Sequence, residues 1–82
     1  MPDRNKVVRS FQIVMRGYDR RQVDELLARI DGTLGCGPAV LTPVTAADVR
    51  AARFAKTMRG YAPREVDEAL NAAAAELDRR SA

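Results

Sequence analysis

The sequence predicts an all-α protein built from two tandem helix-turn-helix-like units. Three observations carry this. First, the stretch 11–31 returns 43 residues later, with ten of 21 aligned positions identical. Phe11, Met15-Arg16-Gly17-Tyr18, Arg21, Val23-Asp24-Glu25 and Leu27 match Phe54, Met58-Arg59-Gly60-Tyr61, Arg64, Val66-Asp67-Glu68 and Leu70. Second, an apolar stripe at helical spacing follows each copy: Val23, Leu27, Ile30, Leu34, then Val66, Leu70, Ala73, Leu77. Third, Gly32, Gly35, Gly37, Pro38 and Pro43 break the chain between the copies. The expected organisation is a first unit over 1–31, a Gly/Pro linker over 32–43 and a second unit over 44–82. The two stripes predict that the second helices pair as a short parallel coiled coil. The pairing is expected either within one chain, as a pseudo-dimer, or between two chains.

Each element has its own warrant. Residues 1–10 offer only Lys6-Val7-Val8-Arg9 ahead of Phe11 and no cap, so the first leading helix is expected to be short or frayed. Met-Arg-Gly-Tyr reads as a tight turn in both copies. Gly17 and Gly60 are expected to supply a backbone conformation that other residues resist, with Tyr18 and Tyr61 beside them. Asp19 is a good N-cap, with Gln22 three residues on, and starts a helix that ends near Asp31. Thr45-Ala46-Ala47-Asp48 resembles a capping box and predicts a helix over 45–57, with Ala46, Val49, Ala52 and Phe54 near one face. Pro63 suits the first position of a further helix. The run from Asp67 to Leu77 has high helix propensity and carries that helix to about residue 80. The four aromatics, Phe11, Tyr18, Phe54 and Tyr61, are expected to serve packing.

Composition narrows function. The 82 residues contain one cysteine and no histidine. An internal disulfide, a Ser-His-Asp triad, a Cys-His pair and a His-containing zinc site are all excluded. No glycine loop of the phosphate-cradling type is present. A binding protein, not an enzyme, is expected, with no cofactor, no metal and no small-molecule substrate. Cys36 reads as a linker residue. No apolar run approaches the roughly 18 residues of a membrane span, and the N-terminus lacks the pattern of a signal peptide, so a cytoplasmic location is expected. The net charge is +3. Residues 1–30 carry all of that excess, and all but two of the basic residues are arginine. Such a balance suits attraction to anionic partners.

The repeated motif resembles the N-terminal domain of DivIVA-type proteins, bacterial scaffolds of the pole and septum. The resemblance rests on Phe, an apolar residue four positions on, Arg-Gly-Tyr-Asp, and Val-Asp leading into an apolar helix. The second copy matches over its length, and Val44-Thr45-Ala46-Ala47-Asp48-Val49 is similar to the family's opening Leu-Thr-Pro-x-Asp-Ile. The first copy matches only from Phe11. The resemblance implies crossed turns that present an apolar residue beside an arginine to the membrane: Met15 with Arg16, and Met58 with Arg59. The family's tip is often Phe, so methionine is a departure. No counterpart of the family's long C-terminal coiled coil is expected.

The resemblance therefore implies a peripheral scaffold or adaptor of cell division or polar growth, on the inner face of the cell membrane. Its expected partners are anionic inner-membrane lipid, other division or polar-growth proteins and further copies of itself in a homo-oligomer, with no nucleic acid. One alternative is an adaptor that pairs helices with DivIVA-like scaffolds and never touches lipid. Another is a small helix-turn-helix nucleic-acid binder, which the basic pI and Gly-containing turns suit. Against that alternative, Arg20, Arg21 and Arg29 are interleaved with Asp24 and Glu25, so no helix shows a dense basic face.

Overall fold

A computed structural model describes residues 11–35 and 43–81. The first leading helix, Cys36 and most of the linker lie outside the described residues. The order of elements is β1 (Ile13–Tyr18), α1 (Arg20–Thr33), α2 (Ala46–Ala51), β2 (Lys56–Tyr61) and α3 (Pro63–Ser81).

The fold is mixed, not all-α. Both Met-Arg-Gly-Tyr segments, Gly17, Tyr18, Gly60 and Tyr61 included, are extended strands where turns were expected. The helix expected over 45–57 stops at Ala51, because Ala52 turns extended and β2 begins at Lys56. The strands exist only as a pair. Ile13 faces Tyr61, Met15 faces Arg59 and Tyr18 faces Lys56, so they run antiparallel, in an irregular register. Each supplies partners for the other's backbone groups, which a single copy cannot do. Reading each copy alone therefore returns a turn.

The end pairs of this ladder reveal an internal two-fold. Under the 43-residue repeat Ile13 corresponds to Lys56 and Tyr18 to Tyr61, so the Ile13–Tyr61 and Tyr18–Lys56 pairs are one pair seen from either side. The two strands share one burial pattern, position for position. At the crossing, Gly17 and Gly60 lie backbone to backbone. A Cβ on Gly17 would fall 2.3 Å from the Gly60 carbonyl carbon, and one on Gly60 would fall 2.3 Å from the Tyr18 backbone carbonyl oxygen. Neither glycine has a positive φ. Their role is close approach, which corrects the expectation of a special turn conformation.

The helices start as their caps dictate. The Asp19 carboxylate accepts from the Gln22 N–H and opens α1. Thr45 and Asp48 exchange reciprocal hydrogen bonds of 3.1 Å and open α2. Pro63 opens α3. α1 runs slightly past Asp31, to Thr33, and Gly35 follows with φ 81°. The eight stripe residues, Val23, Leu27, Ile30, Leu34, Val66, Leu70, Ala73 and Leu77, are all buried in one cluster. That core is not a two-helix coiled coil. Val44 and, from α2, Ala46 and Val49 complete it, together with Ala74 of α3. The four aromatics pack at its edge, half-buried.

Candidate functional site

The strand pair is locked by contacts that cross between the units. Each contact has its counterpart at the repeat offset. The Tyr18 hydroxyl donates to Asp67 at 3.1 Å, and the Tyr61 hydroxyl donates to Asp24 at 2.9 Å. Phe11 packs on Tyr61, and Phe54 on Tyr18, each with ring centroids 5.2 Å apart. The Asp19 N–H donates to the Ala55 carbonyl, and the Ala62 N–H donates to the Gln12 carbonyl. The Ala55 N–H donates to the Gln22 side chain, and the Gln12 N–H donates to the Glu65 carboxylate, both at 2.8 Å. Burial raises the Tyr18 hydroxyl above its ordinary pKa of 10.0, and the hydrogen bond to Asp67 adds to the effect. A neutral phenol is therefore the form this contact stabilises.

This lock holds a tip. Met15 is 78% exposed and Met58 76% exposed. Arg16 and Arg59 are exposed beside them. Ile13 is 40% exposed, and its repeat counterpart is Lys56, whose ammonium sits 4.7 Å from the centre of the Tyr18 ring. Met15, Arg16, Lys56, Thr57 and Met58 line an open cleft of about 500 Å³. The two halves of the tip differ in detail. Arg16 takes a left-handed backbone, φ 58°, and Arg59 does not. The Thr57 hydroxyl is buried without a hydrogen-bond partner among the described residues, where the first copy has Val14. A second groove, about 950 Å³, runs along the start of α1 past Tyr61 and Arg59. Its lining mixes Arg20 and Arg21 with Asp19, Asp24 and Glu25, so it selects no sign of charge.

Met15, Arg16, Met58 and Arg59, chosen as tip residues in the sequence, are all exposed; Met15, Arg16 and Met58 line one cleft, while Arg59 lines the groove along α1. Gly17 and Gly60 lie buried beneath them, and Tyr18 and Tyr61 face into the contacts between units. The stripe residues lie apart from the tip, in the core. Sequence reasoning missed the reciprocal roles of Gln12, Gln22, Asp24, Glu65 and Asp67. Asp24 and Asp67 were findable, because they are identical residues at the same repeat position as each other, as are the tyrosines they bind. Among the described residues no acidic or cysteine cluster forms a metal site, and no helix is long and apolar enough to cross a membrane. Comparison with family models, with curated proteins and with solved structures gives no match.

Proposed function

We propose that this protein is a non-enzymatic, membrane-associated scaffold or adaptor that docks on anionic lipid through its strand-pair tip. The observation that carries the reading is the pair of exposed methionines on an ordered edge, each beside an arginine. Apolar side chains grouped on a folded surface and rimmed by polar ones suit an interaction site. A methionine that enters the acyl boundary gains up to about 1.5–3 kcal/mol, and each arginine near anionic headgroups adds about 1 kcal/mol. One wedge of that size binds weakly; two on one rigid edge act together. The resemblance of the repeat to DivIVA N-terminal domains supplies the biological setting, bacterial division or polar growth at the inner face of the cell membrane.

Co-sedimentation with vesicles tests this reading. Wild type is expected to pellet with anionic vesicles at low salt and not with neutral ones, and Met15→Asp/Met58→Asp is expected to stay in solution. Wild type that ignores both vesicle types contradicts lipid docking and leaves the same edge as a surface for a protein partner.

A further inference from the structure

The contacts that lock the tip all run between units, and each unit carries both halves of every contact. The first unit offers Tyr18 and Asp24, and the second offers Tyr61 and Asp67. The two are joined through a segment whose ends are pinned together. The Thr33 hydroxyl accepts from the Val44 N–H at 2.9 Å, and Leu34 and Val44 are both buried in the core. Between them stand the residues Gly35-Cys36-Gly37-Pro38-Ala39-Val40-Leu41-Thr42-Pro43. This chain closes a loop but holds none of the contacts between the units described above.

We propose that a second copy of this chain is a binding partner, engaged by exchange of halves. The first unit of one copy pairs with the second unit of the other, and the reverse, so a closed dimer carries two tips. Such a dimer keeps every reciprocal hydrogen bond, both ring pairs, both Gly17–Gly60 crossings and the Thr33–Val44 bond, now formed between copies. Among the described residues, what differs is which copy supplies each half. A connection of this length holds its own partner at an effective concentration of the order of millimolar. The closed monomer therefore prevails in dilute solution, and exchange prevails where copies are crowded. Exchange of identical elements through a connecting loop is a low-cost route to a dimer.

Two variants that fail separately test this. In Gly17→Ala and in Gly60→Ala the new Cβ meets backbone at 2.3 Å, so each chain alone is disrupted at its crossing. Refolded together, the Gly17 unit of one and the Gly60 unit of the other rebuild an unmodified crossing. The expected result is a species of twice the chain mass by light scattering, with about half of the wild-type near-ultraviolet tyrosine signal restored, since one of its two crossings is intact. A refolded mixture equal to the sum of the separate variants overturns the proposal. Wild type gives an independent readout. Donor- and acceptor-labelled samples at Cys36, refolded together at millimolar concentration, are expected to show energy transfer that persists for hours after dilution. Energy transfer that vanishes within the mixing time, or never appears, counts against exchange. Neither experiment involves lipid, so its outcome is separate from that of vesicle binding.

Discussion

The two units agree at the crossing and diverge behind it. Strand burial, the glycines, the tyrosine–aspartate bonds and the ring pairs are the same in both copies. The helices that follow are not. α1 has 14 residues and ends at a Gly-containing turn, while α3 has 19 and runs on through alanines. Ile30 of α1 corresponds to Ala73 of α3, and the buried Asp31 corresponds to the buried Ala74. The reason lies in what covers α3. Leu70, Ala74 and Asp78 repeat every four residues along it, and Asp78 pairs with Arg50 of α2 at 2.6 Å, so this face meets α2. A small residue suits that packing. In the first copy Asp31 stands where the second has Ala74, and Lys6 stands where the second has Val49. An apolar pair in one copy is thus an acidic and a basic residue in the other. What the two-fold requires is duplicated, and what each helix's own neighbour requires has drifted.

Breaking the shared part has the largest expected effect. Gly17→Ala and Gly60→Ala each force backbone apart, and either is expected to cost about 3 kcal/mol or more, the upper end for overpacking, in chemical denaturation. The costs should be similar, because in both the nearest backbone atom lies 2.3 Å from the new Cβ. Next comes the core behind the crossing. Leu27→Ala and Leu70→Ala are each expected to cost roughly 2–5 kcal/mol. Leu27 is wholly buried and Leu70 retains 7% exposure, so Leu27→Ala is the worse of the two. Equal costs would erase that difference between the halves.

The unit-specific part responds more weakly. Thr45→Ala removes the α2 cap and is expected to cost about 1 kcal/mol in the same measurement. The Asp48 carboxylate is held below its ordinary range by the Thr45 backbone N–H and then by the Thr45 side chain. Its contribution is present above the ordinary aspartate pKa and is lost as pH falls through the lowered value, so α2 should loosen in acid. Tyr18 has the opposite sign. Its raised pKa favours the protonated folded form, so that contribution is present below pH 10.0 and is lost as pH rises through the raised value. Denaturation midpoints at both extremes, with Tyr18→Phe at the alkaline end, separate the two effects. The smallest change in stability belongs to the tip. Met15→Asp or Met58→Asp should shift stability by no more than about 0.5 kcal/mol, since both side chains stand in solvent.

The sequence carried the repeat, both caps, the start of α3 and the core stripes, because each is a local pattern of residue type and spacing. Asp19, Thr45 and Pro63 announce their helices without reference to the rest of the chain. The strands were not legible for the opposite reason. Ile13–Tyr18 and Lys56–Tyr61 gain their hydrogen bonds from each other across 43 residues, and a glycine within each copy reads locally as a turn. Gly17 and Gly60 were read as turn formers, and the structure uses them instead for close backbone contact. The tip methionines were placed by resemblance alone. Their exposure depends on the crossing beneath them, which neither copy specifies by itself.

The interlocking of the two units within one chain is the claim on which the rest depends. The most direct test is nuclear Overhauser contacts among the aromatic rings in a dilute sample. Two Phe and two Tyr are the only aromatics, so assignment is unambiguous. The account predicts Phe11–Tyr61 and Tyr18–Phe54 contacts within single chains. Cross-unit contacts that are absent, or that appear only between differently labelled chains at that dilution, would contradict it.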